Sequence, residues 1–340
     1  MSKKDLNVLN LAKKVNLKTK HLPIYLNFKL ILSNFLKSRP FVVAVSGGAD
    51  SLALTALSSI YKREKKNKIY YVLVDHKLRK NSSVEANSVK KLLKQNKINL
   101  FILTNKKKID KNIQSNAREV RYKLLEDFCK KKLVKFILTG HHRDDQIETF
   151  LIRLSRGSGV QGLSSMKKIT KLKNNIKLFR PFLNEKKIDL ANIAKNFFGK
   201  IFKDPSNFDK KYLRIKIRSL ITQFDKKGIK LDQIIKSINN LGSTRDTLNN
   251  YITRVEDKLV ISKNRKISIK LDKFFLEPGE IQMKIISRQI KYVSKSYYPP
   301  RASKLLNLIK RIKFNKKCKY TLGGCVILRN DNHLNIYKEI

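Results

Sequence analysis

Short apolar runs recur through the first half of the chain: Phe41 to Val45, Ile69 to Val74, Asn99 to Thr104, Lys135 to Thr139 and Ile176 to Phe179. Each has the length and the branched or aromatic residues of a buried strand. Polar-apolar stretches with helical spacing separate them. The clearest is 112–132, where Ala117, Val120, Leu124, Leu125 and Phe128 fall on one side. Strands alternating with helices predict an α/β fold with a doubly wound, mostly parallel five-stranded sheet. Ligands of such sheets sit beyond the carboxyl ends of the strands. The unusual residues of this chain collect at those ends: Ser46 after the first strand, Asp75-His76 after the second, and His141-His142 after the fourth.

Outside that alternation the pattern changes. Residues 1–38 are polar and Lys-rich with a weak helical period, and read as an N-terminal lead-in segment. The α/β domain is expected over 39–224. The period shifts near Phe224, and 225–340 reads as a mainly helical plus small mixed region. It holds a helical stretch from Leu231 to Leu259, a break at Pro299-Pro300, a helix from Lys304 to Ile312, and two strands around Gly323-Gly324. No internal repeat is visible.

Composition narrows the function. The 340 residues are 41% hydrophobic and 30% charged, enough for one folded α/β domain with a smaller appendage. The formal net charge of +51 attracts polyanions and favours nucleic acid over an acidic protein as partner. Part of that excess is expected to be solvated surface. Three scattered cysteines, Cys129, Cys318 and Cys325, form no C-x-x-C pair and fit a reducing compartment. No apolar run is long enough to span a bilayer, and no signal-peptide pattern opens the chain. A cytoplasmic protein is expected.

The chemistry begins at Ser46-Gly47-Gly48-Ala49-Asp50-Ser51, between the first strand and a helix. Adjacent glycines let the backbone turn tightly, and the helix start offers free N–H groups to an anion. The loop is neither G-x-x-x-x-G-K-S/T nor G-x-G-x-x-G. A plain βα turn capped by Asp50 would also account for the glycines. After the fourth strand, Asp144 and Asp145 fall in a first helical turn, and Asp145, Glu148 and Thr149 share a face. Such carboxylates beside a triphosphate suit Mg²⁺ with its waters, or accept a proton from an amine. An acidic helix cap with surface histidines is the plainer alternative. Arg118 and Arg121 share a helical face suited to phosphate oxygens. Arg153, Arg156, Arg180, Arg214 and Arg218, with Tyr212, make a downstream basic set suited to an RNA backbone and one stacked base.

The S-G-G-x-D-S loop resembles the signature of the PP-loop ATP pyrophosphatases. Val74 to Arg79, Asn116 to Tyr122, His141 to Thr149, Arg156 to Leu163, Arg180 to Leu183, Lys203 to Asn207 and Tyr212 to Arg214 follow in order. The set resembles the tRNA(Ile)-lysidine synthases over about residues 38–220, and Thr321 to Cys325 resembles their C-terminal tail. Ile215 departs from that pattern, where the family usually has Asn. The resemblance implies ATP and Mg²⁺ as cofactors. It implies nucleotide contacts at Ser46, Gly47, Gly48, Ala49, Asp50, Ser51, Asp75 and His76, and metal contacts at Asp50 and Asp144. Asp145 is the candidate base, with Asp144, His141, Arg118 and Arg121 in catalysis and the downstream basic set on tRNA. The implied substrates are an isoleucine tRNA with a CAU anticodon and free L-lysine. The wobble cytidine would become lysidine, moving decoding from AUG to AUA and identity from Met to Ile. The rivals are another PP-loop enzyme such as a thiolase, a non-catalytic RNA-binding protein on this fold, and a small-molecule acyl-adenylating enzyme. The sequence sets no oligomeric state.

Overall fold

A computed structural model describes residues 17–65, 67–79, 81–106, 113–202, 213–263, 266–296 and 299–339. Tyr212, the 203–207 segment and the first residue of the 112–132 stretch lie outside the described residues. The chain divides into two compact units, Met1–Gly242 and Ser243–Ile340.

The first unit is built on a six-stranded sheet: β1 (Phe41–Val45), β2 (Ile69–Asp75), β3 (Leu100–Thr104), β4 (Phe136–Leu138), β5 (Ile169–Lys171) and β6 (Lys177–Phe179). The order is β3-β2-β1-β4-β6-β5. The five strands expected from the apolar runs are parallel, and β5 adds an antiparallel edge against β6. The helices are α1 (Leu22–Leu36), α2 (Ala49–Glu64), α3 (Ser82–Gln95), α4 (Ile113–Lys131), α5 (Arg143–Leu154), α6 (Val160–Leu163), α7 (Lys187–Phe198), α8 (Leu213–Lys226) and α9 (Leu231–Leu259).

Both faces of the sheet are covered, so its strands read as continuous apolar runs. Phe41, Val43 and Val45 join α1, α2, α3 and α7 in one core, while Val42 points to the other side and packs with Tyr122, Leu125 and Phe128 of α4. The N-terminal stretch set apart as a lead-in supplies α1 to the main core through Leu22, Tyr25, Phe28, Leu32 and Leu36. Its period looked weak because Leu26, Leu30 and Phe35 are apolar but exposed. A third cluster joins α5 to α8 and the start of α9, with Ile147 and Leu151 against Ile217.

The division between units falls inside α9. The second unit contains β7 (Val260–Lys263), β8 (Lys266–Lys270), α10 (Leu271–Phe274), α11 (Gly279–Ser294), α12 (Ala302–Phe314), β9 (Lys317–Leu322), β10 (Cys325–Asn330) and β11 (His333–Lys338). Its sheet is antiparallel, in the order β7-β8-β11-β10-β9. The two strands expected around Gly323-Gly324 are β9 and β10; both glycines have positive φ, 65° and 74°, as a tight hairpin turn requires. Among the described residues, no helix is long and apolar enough to cross a membrane.

Candidate active site

The strand order reverses between β1 and β4. From β1 the chain runs outward through β2 and β3, then returns to place β4 on the other side of β1. The loops leaving two such strands diverge and leave a crevice at their carboxyl ends. The glycine loop follows β1, and the two histidines follow β4.

The loop is shaped by its own side chains. Gly47 has a φ of 81°, and a Cβ there would come within 2.7 Å of Val89 Cγ2. The Ser51 hydroxyl accepts from the Ser46 N–H at 3.0 Å and donates to the Gly48 carbonyl at 3.0 Å. Ser46 Oγ donates to the same hydroxyl at 3.1 Å. Ser51, expected to meet phosphate, therefore holds the turn. Gly48 caps α2 without a side chain over the helix end, so the first-turn N–H groups have no partner within the helix. Their partial positive charge suits an anion.

Gly140 brings the second segment against the first. A Cβ on it would stand 2.7 Å from the Asp50 carbonyl oxygen and 3.1 Å from the Ser51 nitrogen. Beside it, buried His142 lies between two carboxylates, with Nε2 at 3.4 Å from Asp50 Oδ2 and 3.6 Å from Asp145 Oδ2. Asp145 also accepts from the His142 N–H at 3.1 Å, which fixes the start of α5. Burial opposes charge on His142, but the Asp50 hydrogen bond and the charges of Asp145, Asp50 and Asp144 overcome it and raise its pKa. The loop and the acidic helix start thus share one crevice. Gly140 was not singled out from sequence, and His142 was noted at the strand end beside His141 without a role of its own; position after a central strand was the available signal.

His141 and His76 beside this site are held neutral. His141 Nδ1 pairs with Thr139 Oγ1 at 2.9 Å, and burial followed by Arg180, Arg118 and Arg121 lowers its pKa to about 3. Arg121 Nε donates to His76 Nε2 at 3.4 Å; burial and then this guanidinium lower the His76 pKa to about 4. Arg118 lies over the Tyr122 ring at 5.0 Å. Of the expected arginine pair, Arg121 thus lies close enough to act on both histidines and Arg118 on His141. Asp75 is turned into its own loop, accepting from the Lys77 N–H at 3.0 Å and from Ser83 Oγ at 2.6 Å. Burial works to raise its pKa, and these hydrogen bonds outweigh it and lower it.

The downstream basic set separates. Arg156 and Arg214 are exposed. Arg218 faces inward and pairs with buried Glu148, tying α8 to α5. Arg153 Nη1 donates to the carbonyls of Gly162 and Ser165 at 2.7 and 3.1 Å. Buried Arg180 donates to the Lys167 carbonyl at 2.7 Å and to Thr170 Oγ1 at 2.8 Å. Three of the five arginines thus make contacts within the protein.

The chemistry of the donors present suits phosphate oxygens and a divalent cation. Asp50 Oδ1 is buried without a protein partner while Oδ2 faces His142. Among the described residues, no cluster of three or more His, Cys, Asp or Glu could hold a metal alone. Mg²⁺ is commonly held by one or two carboxylates together with substrate phosphates. Asp50 and Asp144 are the donors that suit this arrangement.

Comparison with known proteins gives the family of the chain. Residues 20–224 match the PP-loop domain family. A tRNA(Ile)-lysidine synthase of Wolbachia pipientis wMel is 36% identical, covering 92% of this chain and 75% of that protein. One from Orientia tsutsugamushi (strain Boryong) is 32% identical, covering 90% of this chain and 71% of that protein. Among solved structures, the U34-tRNA thiolase NcsA from Methanococcus maripaludis is similar with a TM-score of 0.54 at 17% identity, covering 65% of this chain and 79% of that chain; this likeness shows the fold. A PP-loop domain across the α/β unit and relatives matching along most of the length together mean that the chain belongs to the tRNA(Ile)-lysidine synthase family of ATP-using PP-loop enzymes.

Proposed function

We propose that this enzyme converts the wobble cytidine of an isoleucine tRNA with a CAU anticodon into lysidine, using ATP and free L-lysine. In the first step the cytosine C2 carbonyl oxygen attacks the α-phosphorus. An O–P bond forms, the α–β anhydride breaks, and pyrophosphate leaves toward the glycine loop and the start of α2. In the second step the lysine ε-amine attacks C2. A C–N bond forms, the C–O bond to the adenylate breaks, and AMP leaves. The amine must be neutral, so a base has to take its proton, and Asp145 is the assigned acceptor. His142 holds Asp145 and Asp50 in register. Neutral His141 and His76 keep additional positive charge out of the pocket, while Arg118 and Arg121 face the phosphates. Bound Mg²⁺, with Asp50 and Asp144 as ligands, would neutralise charge on the departing pyrophosphate. The base must be splayed from its stack to reach the crevice.

We assign 39–224 to the PP-loop chemistry and 225–340 to tRNA recognition. In the second unit, α12 and β9 carry Lys310, Arg311, Lys313, Lys317 and Lys319, and Arg311 lies over the Tyr320 ring at 5.7 Å. A tRNA substrate places the reaction in the cytoplasm.

The observation that carries the reading is His142 between a carboxylate of the loop and one of the acidic helix. Against a thiolase, Cys129 is buried with its thiol pushed up to about 12 by burial, and half-buried Cys318 and buried Cys325 both belong to the second unit and form no C-x-x-C pair. The test is incubation with ATP, Mg²⁺, the CAU isoleucine tRNA and labelled lysine. Label is expected in RNA, stable to mild alkali that strips aminoacyl esters, with AMP and pyrophosphate formed in equal amounts. Pyrophosphate release that needs no tRNA, or none with it, would overturn the proposal.

A further inference from the structure

Arg153 and Arg156 both belong to the basic set expected on RNA. The geometry separates those two arginines. Gly157, at φ 67°, closes α5: its N–H bonds the Leu154 carbonyl at 3.0 Å, and the Ser158 N–H bonds the Arg153 carbonyl at 3.0 Å. This paired closure fixes the conformation of a helix end. Arg156 sits within it, exposed.

The returning chain is fastened along α5. Arg153 Nη1 holds the Gly162 and Ser165 carbonyls. Toward the acidic end of the helix, Gln146 accepts from the Met166 N–H at 2.8 Å and donates to the Met166 carbonyl at 3.1 Å, while Ser165 Oγ donates to the Gln146 carbonyl at 3.0 Å. Almost every fastening runs from a side chain of α5 to the main chain of the returning chain; Ser164 and Ser165 are buried, while Arg156, Gly157 and Gly159 are exposed. The turn is also packed on itself, since a Cβ on Gly162 would stand 2.6 Å from Ser158 Cβ. Arg153 lies eight residues beyond Asp145, or about 12 Å along the helix. Arg156, three residues further on, lies beyond it at the end of the helix, on the side away from the acidic start.

We infer that Arg153 is a positioning residue: it holds the returning chain so that the 156–159 turn presents Arg156 to the RNA backbone, and makes no RNA contact itself. The inference rests on the RNA-modifying function proposed above. It is tested in the full-length enzyme with Arg153→Ala, Arg156→Ala, the double variant, and Gly162→Ala, which perturbs the turn without changing charge. Each single variant is expected to raise KM for tRNA about tenfold, with kcat and ATP affinity within about twofold of wild type. The double variant should be no worse than either single, because Arg156 has nothing further to lose once its support is gone. KM rises that multiply to about a hundredfold in the double variant would mean that Arg153 touches RNA independently, and would overturn the inference. So would a lower Tm and kcat with KM for tRNA unchanged, the signature of a fold brace. A wild-type enzyme inactive on tRNA would instead sink the proposed function, so the two failures are distinguishable.

Discussion

Gly140→Ala adds one methyl group where the two halves of the site meet. The new Cβ would lie 2.7 Å from the Asp50 carbonyl oxygen, 2.8 Å from its carbon and 3.1 Å from the Ser51 nitrogen. Ordinary contact starts at 3.4 Å, so the segments must part by about 0.7 Å (3.4 − 2.7). All three atoms are main chain, in the first turn of α2, and no rotamer change relieves the clash. Overpacking of this kind costs about 1–3 kcal/mol. A displacement approaching ~1 Å between reacting groups can lower the rate by about a hundredfold. The variant should therefore fold with a reduced Tm and show kcat lower by about 10- to 100-fold. KM for tRNA should hold, because the methyl group points into the protein. Thermal unfolding together with steady-state pyrophosphate release at saturating tRNA measures all three quantities. A kcat within about twofold of wild type at unchanged Tm would refute the close approach and the shared crevice with it.

Asp50→Ala should lower pyrophosphate release at least about a hundredfold, with tRNA affinity by filter binding nearly unchanged; normal turnover would remove the loop assignment. Arg218→Ala strands the Glu148 carboxylate, and should cost about 1–3 kcal/mol, discounted because Arg218 is partly exposed. Adding Glu148→Gln should restore part of the lost Tm, and an undiminished Tm in the single variant would mean that the pair does not hold α8. Arg214→Ala should weaken tRNA binding and make its salt dependence shallower by about 0.9 in log–log slope; an unchanged slope would exclude a phosphate contact. His76 and His141 are held near 4 and 3, below the ordinary value of 6.5. Folding then favours their neutral forms, so this stability is full above about pH 6.5 and falls as pH drops through that value toward the folded pKa values. The decline in Tm from about pH 7 to about pH 5 should be shallower in His76→Asn/His141→Asn, and an equal decline would show that these histidines do not carry it.

The strands were legible because burial on both faces makes each an unbroken apolar run, as Phe41–Val45 shows. The three-residue edge strand Ile169–Lys171 carries no such run and left no signal. Helix α1 was legible as weakly helical only, since apolar residues on both its buried and exposed sides blur the period. At the site, motif order located the loop and the acidic segment. Which side chains turn inward depends on pairings between distant parts of the chain. Arg218 reads like Arg214 until Glu148, seventy residues away, is seen beside it. Gly140 reads like any glycine until the main chain of Asp50 is found against it.

The reversal of strand order has a consequence for synthesis. The glycine loop is complete once the first fifty or so residues exist, but its acidic counterpart follows a strand whose neighbour lies ninety-five positions earlier, Val42 pairing with Ile137. Pairings so remote in sequence form slowly, and chains emerge from the ribosome N-terminus first. A nascent chain halted near residue 120 would hold β1 to β3 without β4, and so would carry the glycine loop without the acidic helix start that meets it. Assembly of the two halves of the crevice is thus deferred until the chain has grown past the start of α5.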